Sequence, residues 1–239
     1  MESCSPGSAN LPIGGVCEGK GAIQEIGGPR ENRGAAVWHS RGYLPHFEGA
    51  EAIQHVTFHL ADSLPRTAIL RIEAETKALP AEKRDTERRR RMEAWIDAGH
   101  GSCILREPEF AGIVQGALLA FDSRRYRLLA WVVMPNHVHV LFQPMNGWTV
   151  AKTVASWKKF TGRAICGSLR NHGKHPGPVW HREYWDRYIR DRRHFQRAIG
   201  YIHENPVKAG LVASAETWLW SSAYQNRANR EIGVPRGKT

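Results

Sequence analysis

Two histidines separated by a single residue, His137 and His139, carry the sharpest local signal for chemistry in this sequence. They follow an apolar run, Tyr126–Met134, and a Pro135-Asn136 turn, so they open the return strand of a predicted hairpin. Side chains alternate across a strand, which directs both imidazoles to one face. There they could share one divalent ion at about 2.0–2.1 Å. The alternative is a pair of hydrogen-bonded polar residues on the solvent side of a hairpin.

A tyrosine and an asparagine, Tyr201 and Asn205, lie four residues apart near the C-terminus. Asp191 is a typical N-cap for a helix that we predict to run to about Glu204 and to be stopped by Pro206. On that helix the two side chains share one face. The Asn205 carbonyl oxygen is a hard ligand suited to Mg²⁺ or Mn²⁺, so it is a candidate third donor beside the histidines. The alternative is a tyrosine at the edge of the core and an ordinary residue at a helix end.

The chain is strongly basic, with 34 Lys and Arg against 23 Asp and Glu and a formal net charge of +11 among 239 residues. This composition argues against a typical acidic enzyme and favours a polyanionic partner. The excess is concentrated in residues 148–205, which hold 12 Lys and Arg against four Asp and Glu. The candidate DNA-binding residues are Lys152, Lys158, Lys159, Arg163, Arg182, Arg187, Arg190 and Arg193.

Aromatic residues are interleaved with these basic residues. Trp157, Trp180, Tyr184 and Trp185 could stack on unpaired bases, each contributing about 1–3 kcal/mol. The alternative for each is core packing, which we favour for Trp157 and Trp185. The sequence therefore indicates a nucleic-acid surface without specifying which aromatic residues belong to it.

A sheet with helices must position these residues. The patterns predict strands over Ala52–Leu60, Tyr126–Met134 and His137–Phe142, with an edge strand inside Val179–Ile189. Helices are predicted within Pro65–Gly99, Pro108–Phe121 and Thr149–Ile165 and after Asp191, with a loop over Gly167–Pro178. This order indicates an α+β fold with an antiparallel sheet and helices packed on one face. The run Arg88–Arg91 is interpreted as a solvated helix face.

The composition of the chain predicts one folded domain between two poorly ordered ends. Residues 1–35 are rich in Gly, Ser and Pro and are predicted to be a disordered or weakly ordered leader, residues 36–225 a folded domain, and residues 226–239 a frayed tail. The longest apolar run, Leu128–Met134, is far shorter than the roughly 20 residues of a membrane span. Four scattered cysteines fit a reducing compartment, so we expect a cytoplasmic protein.

Four ordered blocks, Trp38–Phe47, Met134–Phe142, Trp157–Gly162 and Tyr201–Val212, resemble REP-associated tyrosine transposases. These are relatives of the single-tyrosine transposases of the HUH (His-hydrophobic-His) nuclease superfamily. The resemblance spans about residues 38–225, and it implies a ferredoxin-like antiparallel sheet for the domain at 36–225.

The same resemblance implies roles for individual residues. His137, His139 and Asn205 match the metal ligands, and Tyr201 matches the nucleophile, with Mg²⁺ or Mn²⁺ as cofactor. Tyr184 and Tyr188 are rival nucleophiles, but neither is followed four residues later by Asn or Gln.

The implied function is metal-dependent cleavage and strand transfer of single-stranded DNA at repetitive palindromic hairpins, through a 5′-phosphotyrosine intermediate. The alternative is a repetitive-element DNA-binding protein whose nuclease activity is lost or incidental. DNA hairpins are the expected partners and a membrane is not. We expect a monomer whose tyrosine acts in cis, with a dimer as the alternative, in the cytoplasm and associated with the nucleoid.

Overall fold

The computed structural model describes residues 37–40, 45–48 and 52–224. The predictions for residues 1–35 and 226–239 lie outside this part of the chain. The described elements are β1 Val37–Ser40, β2 Pro45–Glu48, β3 Gln54–His59, α1 Arg66–Thr76, α2 Ala81–Asp97, α3 Pro108–Leu119, β4 Tyr126–Val133, β5 His137–Pro144, α4 Val150–Asn171, β6 Trp185–Tyr188 and α5 Arg192–Lys208.

Four strands form one antiparallel sheet in the order β4-β5-β3-β6, and β1 pairs with β2 in a separate two-stranded sheet. The predicted hairpin is present, because β4 and β5 are neighbours joined by a short turn at residues 134–136. The α+β class and the antiparallel sheet predicted from the sequence are confirmed. In the described residues, no helix combines the length and the hydropathy of a membrane span.

The sheet is covered on both faces, which differs from the prediction of helices on one face. Helices α3 and α4 pack on the face formed by Val138, Val140 and Phe142 of β5. Helix α5 packs through Ile202 on the opposite face, and α1 and α2 pack there against Trp185 of β6. The physical reason lies in β4, which is apolar on both sides and must therefore be buried on both. The two histidines share the face covered by α5.

Two helix ends also differ from the predictions. Helix α4 continues to Asn171, past the predicted end at Ile165, because Leu169 still packs against the core. Helix α5 continues through Pro206 to Lys208. A proline in the last turn removes a single backbone donor, so the helix ends only at Ala209.

The segment after α5 fastens that helix to the edge of the sheet. The backbone nitrogen of Val133 donates to the carbonyl oxygen of Trp220 (2.8 Å), and the Trp218 indole donates to the carbonyl oxygen of Val133 (3.0 Å). Ser222 Oγ accepts from the Trp131 backbone nitrogen (3.0 Å) and lies 2.8 Å from His203 Nε2 on α5. These bonds cover the free edge of β4 and fix α5 above the histidine face.

Candidate metal and nucleophile site

The two histidines of β5 are buried and face each other. His137 and His139 are each 1% exposed, and their Nε2 atoms lie 3.0 Å apart. Both rings project from the same face of the sheet, as the alternation along the strand predicts. Burial lowers the pKa of His137 well below its ordinary value and the proximity of His139 lowers it further, so the ring is neutral. A neutral ring offers a lone pair to an electrophile.

A hydrogen-bond network fixes which nitrogen of His137 is free. The Asn136 amide nitrogen donates to the backbone carbonyls of Ile96 (2.9 Å) and His100 (3.0 Å), which turns Oδ1 toward His137 Nδ1 at 2.7 Å. Since a carbonyl oxygen only accepts, the imidazole proton sits on Nδ1 and the lone pair on Nε2. A partner on the second ring nitrogen is the usual arrangement around metal-ligating histidines.

His139 is oriented in the same way by strand β3. Thr57 Oγ1 lies 2.8 Å from His139 Nδ1, and its hydroxyl can accept that proton. His55 Nε2 lies 3.3 Å from the same nitrogen, and burial lowers the pKa of His55 well below its ordinary value. With that proton on Nδ1, the Nε2 lone pair of His139 faces the same point as that of His137.

Asp97, at the C-terminal end of α2, places a carboxylate beside the Nε2 atoms of the two histidines. Its Oδ1 lies 3.4 Å from His137 Nε2 and 3.8 Å from His139 Nε2. Donor atoms of the three side chains all lie within 4.8 Å of one another. Two imidazoles and a carboxylate form a donor set that fits a divalent cation. Sequence reasoning missed Asp97, since no spacing links it to a histidine 40 residues later.

The Asp97 carboxyl stays ionised in this position. Burial raises its pKa, the hydrogen bond from the Tyr201 hydroxyl lowers it, and any proton on the neighbouring imidazoles lowers it further, so that the pKa lies below its ordinary value. The bonds from the Asn136 amide hold this end of α2 against the start of β5. The position of Asp97 thus depends on the same asparagine that orients His137.

Asn205 reaches the histidines from α5. Its side chain is 3% exposed, and the amide nitrogen lies 3.3 Å from His139 Nε2. A half-turn of the amide exchanges nitrogen and oxygen, which have nearly the same shape. That turn presents the carbonyl oxygen required by the predicted ligand role. The structure therefore brings Asn205 together with both histidines.

Tyr201 lies beside the same cluster. Its ring packs edge-on against His139, with centroids 5.2 Å apart, and its hydroxyl donates to Asp97 Oδ2 at 2.9 Å. Burial raises the pKa of the phenol above its ordinary value, and the Asp97 carboxylate raises it further. Asp97 therefore touches the nucleophile candidate through one oxygen and faces the histidines through the other.

A cleft of about 660 Å³ opens at Tyr201. Strands β3 and β6 contribute His55, Thr57 and residues 185–188 to its lining, while α2 and α5 contribute side chains from either side. Two predicted DNA-binding residues, Arg187 and Arg190, line it. Arg89 and Arg197 also line it and were not predicted.

A second basic groove, of about 560 Å³, runs along α4. Four predicted DNA-binding residues line it: Lys158, Lys159, Arg163 and Arg182. Lys158 is engaged, because its ammonium donates to the carbonyl oxygens of His181 (2.6 Å) and Arg182 (2.8 Å). Burial lowers its pKa to about 8. Lys152 and Arg193 are exposed and line neither groove.

The interleaved tryptophans belong to the interior. Trp157 and Trp185 are 3% and 6% exposed, in keeping with the core packing favoured from the sequence. Trp180 is 8% exposed, and its indole nitrogen donates to Thr161 Oγ1 at 2.8 Å. None of the three presents a free ring face comparable with a surface stacking platform.

One protein family matches the part of the chain that carries most of this site. Residues 117–205 match the family described as Transposase IS200 like. This segment contains His137, His139, Tyr201 and Asn205, whereas Asp97 and all of α2 lie outside it.

Two curated relatives match part of the chain. The REP-associated tyrosine transposase of Escherichia coli (strain K12) is 30% identical over 113 residues, covering 44% of this chain and 59% of that protein. A Haemophilus influenzae protein is 29% identical over 107 residues, covering 42% of this chain and 61% of its own length. The chain thus spans about three-fifths of the length of these relatives.

The fold is also similar to a solved structure, that of a REP-associated tyrosine transposase bound to a REP hairpin. The two share 18% sequence identity with a TM-score of 0.51, over 88% of this chain and 91% of that one. The predicted fold is therefore confirmed over most of the chain. This chain is similar to the IS200-like transposases in its sequence over residues 117–205, and to REP-associated tyrosine transposases in its motifs, in part of its sequence and in its fold.

Proposed function

We propose that this protein is a metal-dependent transposase that cleaves and rejoins single-stranded DNA through Tyr201. One observation carries the proposal: the Tyr201 hydroxyl, the Asp97 carboxylate and the free nitrogens of His137 and His139 converge within a single chain. The match to a transposase family supports a DNA-processing enzyme. The strongly basic composition fits a DNA substrate.

His137, His139 and Asp97 would hold a divalent cation, Mg²⁺ or Mn²⁺, with Asn205 as a further oxygen donor. The ion supplies charge neutralisation at the scissile phosphate. Mn²⁺ tolerates this mixture of imidazole and oxygen donors, and Mg²⁺ prefers oxygen. Metal dependence itself is part of the proposal.

The protein's own groups prepare the nucleophile. Asp97 Oδ2 orients the Tyr201 hydroxyl and is the acceptor within hydrogen-bond reach when its proton leaves. His203 does not serve here, because it bonds to Ser222 instead. Attack forms a bond from Tyr201 Oη to phosphorus and breaks the bond to the 3′ oxygen, which leaves as a 3′-OH after taking a proton. The resulting 5′-phosphotyrosine keeps a phosphodiester linkage, so a 3′-OH can reverse the step.

We propose a DNA hairpin with a flanking single strand as the substrate. The solved structure with the same fold holds a REP hairpin, and both basic grooves of this chain could bind phosphates. Because Tyr201 bonds to Asp97 and packs on His139 of the same chain, the proposal includes a monomer acting in cis. Association with the nucleoid remains a prediction.

The alternative, a repetitive-element DNA-binding protein without cleavage, is favoured by one observation. The raised pKa of the buried Tyr201 phenol disfavours its ionisation at neutral pH. A bound divalent cation would oppose that effect, so the two functions differ in what happens when metal is added.

A covalent-adduct assay separates the two functions. The protein is incubated with labelled hairpin DNA carrying a single-stranded flank, with Mg²⁺, Mn²⁺ or EDTA, and the products are run on a denaturing gel. We expect a metal-dependent protein–DNA adduct that Tyr201→Phe abolishes and that Tyr184→Phe, a control at a tyrosine outside the cleft lining, retains. Binding without an adduct under either metal would support the alternative, and cleavage that survives Tyr201→Phe would mean that water is the nucleophile.

A further inference from the structure

Helix α2 presents three charged residues to the site from one face. Arg89, Glu93 and Asp97 are spaced by four residues, so they stack along one side of the helix. Asp97 bonds to Tyr201, while Arg89 and Glu93 line the cleft that opens there. Helix α2 lies outside the segment that matches the transposase family, so the family match does not cover this face.

We propose that the cleft between α2 and α5 binds the unpaired DNA strand beside the scissile phosphate, with Arg89 of α2 binding a backbone phosphate together with Arg187 and Arg197. The inference rests on the proposed function, since it assigns the path of that substrate. It does not depend on whether cleavage occurs.

The arginine run itself shows why Arg89 is the relevant residue. Arg90 and Arg91 donate to Glu87 at 2.7–2.8 Å, and Arg91 also reaches Glu75 at 2.6 Å. Arg88 lies within 4 Å of Glu73 and Asp85. Arg89 is half-buried and makes no hydrogen bond or ion pair within 4 Å to any residue the structure describes. A guanidinium held unpaired in a cleft is suited to an incoming phosphate.

The charges around the cleft favour an anion. Arg89, Arg187, Arg190 and Arg197 line it, against two carboxylates, Glu93 and Asp186. Burial raises the pKa of Glu93, and the charges of Arg187, His139 and Arg89 act in the opposite direction. The lining therefore has a net positive charge beside Tyr201.

The size of the cleft favours one strand over two. A volume of about 660 Å³ lies within the range of pockets that enclose a single small ligand. That volume suits a short stretch of nucleotides rather than a duplex. A phosphate held there would lie next to the hydroxyl of Tyr201, which lines the same cleft.

A binding experiment without cleavage tests the inference. All proteins carry Tyr201→Phe, and EDTA is present. Fluorescence anisotropy measures affinity for a single-stranded oligonucleotide and for a blunt hairpin at several salt concentrations. Arg89→Ala is compared with Arg90→Ala, which removes an ion-paired neighbour that does not line the cleft. Thermal unfolding checks that each variant is folded.

We expect Arg89→Ala to weaken single-strand binding about tenfold, the size of one lost charged hydrogen bond. The slope of log affinity against log salt should fall by about 0.7, the value for one phosphate contact on a single strand. Arg90→Ala should stay within about twofold. Affinity for the blunt hairpin should not change in either variant.

Equal losses in Arg89→Ala and Arg90→Ala, or an equal loss for single strand and blunt hairpin, would overturn the inference. If Arg89→Ala does not fold, Arg197→Ala replaces it, with the exposed Arg192→Ala as its control. The two proposals fail separately. If Arg89→Ala alone weakens single-strand binding but the wild-type protein forms no adduct with metal, only the catalytic proposal is contradicted. If the wild-type protein forms the adduct but Arg89→Ala binds single strands normally, only the proposed path of the strand is contradicted.

Discussion

Replacing Asp97 by Asn is the most informative perturbation of the site. The substitution keeps the shape of the side chain and removes its negative charge. It replaces the charged oxygen 3.4 Å and 3.8 Å from the two histidine nitrogens by a neutral amide, and it removes the charged acceptor 2.9 Å from the Tyr201 hydroxyl. Two functions of one carboxylate are thus lost together.

The expected size follows from these contacts. Changes to residues that only support metal ligands cost about 10–100-fold in affinity, so removing the charge of a direct ligand should cost about 100-fold. Losing a hydrogen bond to a charged acceptor costs a further 1.5–3 kcal/mol, about 10–100-fold, in the orientation of the tyrosine. The carboxylate raises the pKa of Tyr201, so its removal lowers that pKa. We expect the two losses to outweigh this gain.

Mn²⁺ binding by electron paramagnetic resonance and adduct formation on the gel measure the two losses independently. Asp85→Asn is the matched control, because Asp85 lies on the same helix but is exposed and distant from the histidines. Asp97→Asn with wild-type Mn²⁺ affinity and a wild-type rate of adduct formation would refute the assignment of Asp97 to this site.

Three further predictions follow from the same structure. Asn136→Ala should weaken Mn²⁺ binding about 10–100-fold in titrations, since it removes the partner of His137 and the tether of α2; unchanged affinity would contradict that role. Ile202→Ala should lower the free energy of unfolding in urea by about 2–5 kcal/mol, and a loss below 1 kcal/mol would contradict the packing of α5 on the sheet. Burial lowers the pKa of His59 to about 3, so its folded form resists protonation that the unfolded chain accepts below about 6.5. Stability should therefore fall as pH drops from about 6.5 toward 3, by up to about 1.4 kcal/mol per pH unit from this group, and His59→Gln should flatten the slope in thermal melts.

Local sequence patterns were sufficient to predict which site residues share a face when those residues lie on one strand or one helix. Alternation along β5 predicts that His137 and His139 share a face, and the N-cap at Asp191 with a four-residue spacing predicts that Tyr201 and Asn205 share another. The structure brings all four together. Their roles in metal binding and attack remain predictions that the proposed assays address.

Asp97 and Arg89 could not be found in this way. They lie on a highly charged helix whose sequence is typical of a solvated surface. Their relation to the histidines depends on how α2 docks on the sheet, through the Asn136 amide just before β5 and through Ile96, which packs in one cluster with Trp185 of β6. Such long-range packing leaves no periodic signal in the sequence. The coverage of both sheet faces could not be predicted either, because the sequence of a buried strand does not show which helix covers each side.

The covalent bond between Tyr201 and DNA is the central claim, and mass spectrometry of the digested adduct tests it most directly. We expect one nucleotide-bearing peptide, modified at Tyr201 and formed only with divalent metal. A modified Tyr184 or Tyr188, or cleaved DNA with no modified peptide, would contradict it.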